Sequence, residues 1–141
     1  MSTKRTSDYQ MVRQFTTAMG QPIDQSFIYS NDNQDYSQED ISLIDLRFNL
    51  IEEEFEEVQK ANTPDNLLKE FADLVYVVLG FCATYGWDFD EAFRRVHLSN
   101  MSKLGEDGKP LRREDGKILK GPNYHTPDLS DLVPTSLKGT L

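Results

Sequence analysis

Cysteine and histidine are scarce in this sequence, and long apolar runs are absent. Of its 141 residues, one is cysteine and two are histidine. The lone Cys82 cannot form an intramolecular disulfide, which is typical of proteins from a reducing compartment. No apolar stretch reaches the length of a membrane span, and the polar N-terminal residues lack the apolar core of a signal peptide. We therefore expect a cytoplasmic protein with no membrane partner.

Basic residues are fewer than acidic residues in this sequence. The chain has 15 Lys and Arg residues against 24 Asp and Glu residues, a net charge of -9. Such a balance argues against a general nucleic-acid-binding protein, which has to neutralise many phosphates. A small anionic substrate remains compatible with it if metal ions or a local basic patch offset the acidity. The length fits one domain, residues 1–141, with a core over about 8–128 and a loose tail over 130–141.

Apolar residues recur at intervals of three and four along much of the chain, a pattern that predicts helices. The predicted helices cover residues 8–19, 40–61, 64–85 and 88–103. Thr63 is a suitable N-cap for the third helix, and Asp88 with Glu91 has the spacing of a capping box at the fourth. Because only a short turn separates the second and third helices, we expect them to form an antiparallel hairpin.

The fold class predicted from this pattern is all-α. It is a bundle of about four helices built on the helical hairpin, with a polar loop over residues 22–39. The segment after Gly105 is rich in Gly, Pro and Asp, so we expect turns there and at most a short strand hairpin.

Acidic residues interrupt the apolar pattern of the second and third helices. At a rotation of about 100° per residue, Glu54 and Glu57 fall in a sector that leucines occupy one or two turns earlier. Glu70 and Asp73 flank the apolar stripe of the third helix. Since the two helices are expected to pack side by side, these four carboxylates can converge on one volume.

Converging carboxylates repel one another, so a buried set has to be paired, protonated or bound to metal. Arg47 and Lys69 are the only nearby candidates for pairing. Oxygen ligands without His or Cys favour Mg²⁺, with Mn²⁺ as a second possibility. The competing interpretation is an ordinary solvated acidic face, which is common for a charge run. That interpretation is weaker for Glu70 and Asp73, because the third helix is apolar over most of its circumference.

The two acidic segments resemble a known family. Residues 50–57 and 70–73 follow the pattern EExxE, spacer, ExxD, which is similar to the MazG-like and phosphoribosyl-ATP pyrophosphohydrolase-like group of all-α NTP pyrophosphatases. Residues 97–103 resemble the phosphate-contacting helix of the dUTPase-like members, and the likeness covers roughly residues 40–128. The resemblance therefore implies a MazG-like fold.

The resemblance also implies roles for particular residues. It makes Glu54, Glu57, Glu70 and Asp73 metal ligands, and Glu53 a further ligand or the base that activates the attacking water. Asn100 and Lys103 would contact the phosphates. The basic segment after Gly105 suggests a lid over the triphosphate, so we add to the expected substrate-binding residues Lys117, Lys120 and Tyr124, the last as a ring that stacks on the base.

The implied activity is Mg²⁺-dependent hydrolysis of a (d)NTP to the (d)NMP and pyrophosphate by attack of a metal-activated water. The implied assembly is a homodimer or a dimer of dimers, that is, a homotetramer. One alternative is a phosphoribosyl-ATP pyrophosphohydrolase of histidine biosynthesis, which performs the same chemistry on another nucleotide. A second alternative is a non-enzymatic helical scaffold whose acidic residues bind a basic partner.

Overall fold

Four helices carry most of this computed structural model, which describes residues 4–27 and 38–133. The order of elements is α1 (Asp8–Ala18), α2 (Gln38–Lys60), α3 (Pro64–Thr84), α4 (Phe89–Met101), β1 (Leu111–Arg112), β2 (Ile118–Leu119) and a 3-10 turn (Ser130–Leu132). The all-α prediction is confirmed, since each strand is only two residues long. No helix of the described part combines the length and apolar character that a bilayer crossing requires.

The described chain forms two compact units. The first, the hairpin unit, contains α1 to α3 and extends to Trp87, and the second, the α4 unit, covers Asp88–Val133. The prediction of one domain over residues 1–141 stays a prediction. Of the predicted loop 22–39 and tail 130–141, residues 28–37 and 134–141 lie outside the described residues.

The helical hairpin forms as the sequence predicts. The Thr63 hydroxyl accepts a hydrogen bond from the backbone N–H of Asn66, and Pro64 takes the first helical position. In the adjacent helix, Arg47 of α2 donates to the carbonyl of Val77 in α3 over 3.2 Å. Further along, Glu54 of α2 lies beside the start of α3, so the two helices run antiparallel. α1 also packs against α3.

The core of the hairpin unit is largely aromatic. Phe27, Ile44, Phe81 and Tyr85 are buried together, and Trp87 packs against them. The ring of Phe27 meets that of Tyr85 edge to face at 4.9 Å. This cluster joins α2 to the C-terminal end of α3, so it fixes the hairpin at the end opposite the acidic residues.

The α4 unit is held by charged and polar contacts. Asp88 caps α4 through the N–H of Glu91, as expected. The predicted capping box is only half formed, because the Glu91 carboxylate binds Arg94 and Arg95 instead. Arg95 also pairs with Asp131 at 2.6 Å, which ties the 3-10 turn to α4. Strands β1 and β2 pair as the short antiparallel hairpin anticipated after Gly105.

Candidate functional site

Three of the four predicted metal ligands lie together in the hairpin unit. Glu54 of α2 and Glu70 and Asp73 of α3 each offer one carboxylate oxygen, and these oxygens lie within 4.8 Å of one another. Glu70 is buried, with 7% of its surface exposed, and the other two are half-buried. We call these three residues the acidic cluster. Its formation follows from the antiparallel hairpin, which brings the first turns of α3 beside the last turns of α2.

Lys69 compensates part of the charge of the acidic cluster. Its ammonium lies 2.7 Å from an Asp73 oxygen and 3.3 Å from a Glu70 oxygen. Both bonds raise the pKa of Lys69, the bond to Asp73 most, so this side chain stays protonated. Three carboxylates therefore face one ammonium, and the cluster keeps an excess of negative charge.

Glu54 experiences that excess most directly. Burial raises the pKa of its carboxyl, and the charges of Asp73 and Glu70 raise it further, while Lys69 acts in the opposite direction. No ion pair with Glu54 occurs in the described residues. A cation placed between these carboxylates would remove the repulsion that raises this pKa.

Glu57 and Glu53 are exposed on α2, outside the group of three. The charge of Glu57 still reaches Glu54, since it is one of the causes that raise the pKa of Glu54. Their assignment as a fourth ligand and as the base stays a prediction. Arg47, one of the two candidate cations for pairing the acids, donates to the Val77 carbonyl and not to the acidic cluster.

In the α4 unit, the segment around Gly121 folds back onto the C-terminal end of α4. This contact brings several of the predicted substrate-binding residues together. The backbone N–H of Gly121 donates to the carbonyl of Lys103 over 2.8 Å. A Cβ at Gly121 would lie 2.2 Å from the Leu104 carbonyl oxygen, so only glycine permits this approach. The ammonium of Lys120 lies 4.8 Å from the centre of the Tyr124 ring. Lys103, Lys120 and Tyr124 therefore share one neighbourhood.

The remaining two predicted contacts are exposed. Asn100 lies on the last turn of α4, and Lys117 lies next to β2, where its N–H donates to the carboxylate of Asp115. Neither is held by a described side-chain bond that would fix its role, so their assignment as phosphate contacts stays a prediction.

Sequence reasoning missed two serines that bind the C-terminal segment to the end of α4. The Ser99 hydroxyl donates to the carbonyl of His125 over 2.7 Å, and the Ser102 hydroxyl accepts from the N–H of His125. Ser99 is buried. Ser99 lies in the last turn of α4, and Ser102 is its C-cap residue. A spacing of three residues is common on helix surfaces, so the sequence does not indicate that both serines contact His125.

Comparison with known proteins identifies a family. The profile of the family described as phosphoribosyl-ATP pyrophosphohydrolase matches residues 12–100, a range that contains all the predicted metal ligands. Among solved structures, the chain is similar to a "putative NTP pyrophosphohydrolase" from Exiguobacterium sp. 255-15, with 21% identity over 87% of this chain and 90% of that one. The TM-score is 0.43. The comparison with curated proteins gives no match.

Proposed function

Because the chain belongs to the phosphoribosyl-ATP pyrophosphohydrolase family, we propose that it is a Mg²⁺-dependent nucleoside triphosphate pyrophosphohydrolase. The reaction converts a (d)NTP to the (d)NMP and pyrophosphate. The observation that carries the proposal is the acidic cluster, whose three carboxylate oxygens lie within 4.8 Å of one another across two helices. A fold that gathers like charges in this way has to compensate them.

The donor set suits a hard divalent cation. All three groups are carboxylates, and one ammonium leaves two negative charges uncompensated, which matches the charge of Mg²⁺ or Mn²⁺. When bound, such a cation neutralises charge on phosphate oxygens and lowers the pKa of water at the site. Glu54, Glu70 and Asp73 would hold it, with Glu57 as a further ligand.

The chain's own residues would position the reactants. Glu70 is buried and held by Lys69, so its carboxylate has little freedom to move away from the cation. Glu53 lies next to Glu54 on α2 and is exposed, which leaves its carboxylate accessible to take the proton of the attacking water. Asn100, Lys103, Lys117 and Lys120 are proposed to bind phosphate oxygens, and Tyr124 to stack on the base.

One alternative within the family is equally compatible with the acidic cluster. The family that matches is described as phosphoribosyl-ATP pyrophosphohydrolase. Such an enzyme hydrolyses the same bond, between the α and β phosphates, in a larger nucleotide. The third possibility, a scaffold without turnover, makes the acids a docking surface for a basic partner. Lys69 already occupies two of the three carboxylates, as such a partner would.

Self-association is part of the proposal. A groove of about 450 Å³ between α1 and α3 is lined by apolar side chains, among them Met11, Phe71 and Val75, each more than two-fifths exposed. Leu68 in the same groove is 71% exposed. Apolar area of this extent on a helix face is typical of a surface that another chain covers. We propose a second copy of this chain, as a homodimer or as half of a homotetramer.

A substrate panel with product identification tests the activity. Ribo- and deoxynucleoside triphosphates and phosphoribosyl-ATP are each incubated with the protein and Mg²⁺, and the products are separated. We expect monophosphate and pyrophosphate from at least one (d)NTP. Turnover of phosphoribosyl-ATP alone would establish the alternative, and no turnover of any compound would favour the scaffold.

A further inference from the structure

Lys69 is the cation that contacts the acidic cluster. Among the ion pairs of the described residues, only those of Lys69 reach the cluster, at 2.7 Å to an Asp73 oxygen and 3.3 Å to a Glu70 oxygen. Arg47 donates to a carbonyl of α3 instead. Lys60, at the end of α2, is exposed and belongs to none of the described ion pairs. Within the described chain, the charge of the cluster is therefore offset by one side chain.

Helix geometry alone does not account for the contacts of Lys69. Successive residues of a helix point about 100° apart, so Lys69 and Glu70 do not face each other, yet the ammonium of one reaches the carboxylate of the other. In the second pair, lysine precedes Asp73 by four residues, which is the less favourable order for an ion pair on a helix. Both contacts indicate that the combined charge of the acids attracts this ammonium.

Burial differs strongly between Lys69 and its partner Glu70. The side chain of Glu70 is 9% exposed, whereas that of Lys69 is 65% exposed. The buried carboxylate cannot turn into solvent, so the cluster keeps its repulsion unless a cation offsets it. Lys69 lies mostly in solvent, so replacing it changes the charge of the cluster and leaves the packing of the helices intact.

The charge of Lys69 bears on which cation the cluster prefers. Three carboxylates and one ammonium leave two negative charges uncompensated. With a neutral side chain in place of Lys69, the cluster would carry three. The attraction between a site and a bound ion grows with the product of their charges. The third negative charge would therefore strengthen binding of a trivalent cation more than binding of a divalent one.

We propose that Lys69 is a specificity-determining residue of the cation site, which adjusts the charge of the acidic cluster to a divalent cation and disfavours trivalent ions. This inference rests on the proposed function, in which the cluster holds Mg²⁺ or Mn²⁺. Hard cations of either charge accept carboxylate oxygens as ligands, so the ligand atoms alone do not separate them. The ammonium beside Glu70 and Asp73 supplies the discrimination that the ligands lack.

The test compares binding of Ca²⁺ and Tb³⁺, two hard cations of nearly the same radius, to the metal-free protein by calorimetry. Glu70→Gln lacks one ligand of the cluster, so its titration measures binding elsewhere on the acidic chain and is subtracted. The quantity compared is the ratio of the Tb³⁺ to the Ca²⁺ association constant. A changed orientation of the carboxylates alters both constants together, whereas a changed charge alters their ratio.

In Lys69→Met, this ratio should rise at least about fivefold over wild type, the effect of one unit charge acting over about 4 Å in water. Lys69→Gln, a second neutral variant, should show the same rise. Lys69→Arg keeps the positive charge and should keep the wild-type ratio. Lys60→Met is the matched control, because it removes a positive charge from the neighbouring end of α2 that does not contact the cluster. It should also keep the wild-type ratio.

Two kinds of contrary result have different meanings. An unchanged ratio in the neutral variants, or an equal rise in Lys69→Arg or Lys60→Met, would overturn the role of Lys69 and leave the cation site in place. If wild type and Glu70→Gln bind both ions alike, the acidic cluster does not hold a cation. That result would overturn the metal site of the proposed function, and this inference with it.

Discussion

The charge balance around Lys69 decides what the acidic cluster can bind. Asp73 and Glu70 share its ammonium, while Glu54 has a raised pKa and no described ion-pair partner. The three carboxylates therefore carry more negative charge than Lys69 compensates. Removing one of these carboxylates weakens binding of a cation but also relieves repulsion between the others. We therefore expect such a variant to lose activity and to remain folded.

We predict that Asp73→Asn lowers turnover strongly while the protein remains folded. The amide keeps the shape of the side chain and removes one ligand charge. The drop in kcat should be at least about 10- to 100-fold, the range seen when groups that merely support metal ligands are lost. Glu52→Gln, an exposed change on α2, is the control. Near-wild-type kcat in Asp73→Asn would remove it from the site.

The raised pKa of Glu54 predicts a pH dependence of stability. Its carboxyl binds its proton more tightly in the folded protein than in the unfolded chain, whose value is near 4.5. The folded state therefore loses stability relative to the unfolded state as pH rises through this range. Without metal, the free energy of unfolding of wild type should fall relative to Glu54→Gln as the pH rises above about 4.5. Urea titrations in EDTA measure this, and a pH-independent difference between the two proteins would contradict it.

Sequence reasoning located the acidic cluster because the helix rotation and the short turn between α2 and α3 together place Glu54, Glu70 and Asp73 along one helix–helix contact. It did not separate Glu57 from them, since that depends on how far α3 extends beside the last turn of α2. Nor did it distinguish Lys69, which pairs with the acids, from Arg47, the other candidate cation. The conformation of a long side chain depends on the space available around it. For Arg47 this is the space beside Gly80 on α3, which helix rotation angles do not predict.

At the scale of elements, the caps explain why helix positions were predictable. Thr63, Asp88 and the glycines after α1 and α3 are explicit stop and start signals, so the predicted ends agree with the structure to within about two residues. The contacts of the long C-terminal segment were not predictable, because Ser99, Ser102 and Gly121 bind backbone atoms distant in sequence. Its role as a lid stays a prediction.

Thr63→Ala tests the link between a cap and the acidic cluster. Loss of the hydrogen bond to the N–H of Asn66 should destabilise the protein by about 1 kcal/mol, the usual effect of removing an N-cap. Glu70 lies in the second turn of α3, so fraying from this end should also weaken Mg²⁺ binding. Thermal melts with and without Mg²⁺ measure both effects. Asn62→Ala, at the preceding exposed position, should change neither, and equal effects in the two variants would contradict the role of the cap.

At the scale of the whole molecule, the exposed apolar groove between α1 and α3 makes self-association the expected state. Leu68→Glu places a charge in that groove and should shift the protein to the monomer. Asn66→Glu adds the same charge about 200° away around α3 and should leave assembly unchanged. Sedimentation velocity distinguishes the states, and an unchanged mass for Leu68→Glu would place the interface elsewhere.

The most direct test of the central claim is a Mg²⁺ titration of wild type and of Glu70→Gln, followed by thermal stability in the absence of nucleotide. If Glu54, Glu70 and Asp73 hold the cation, wild type should gain stability along a saturable curve, by about 2.7 kcal/mol at a hundredfold excess over Kd. Glu70→Gln should start more stable and gain little. Equal Mg²⁺-dependent gains in both proteins, or none in wild type, would contradict the account.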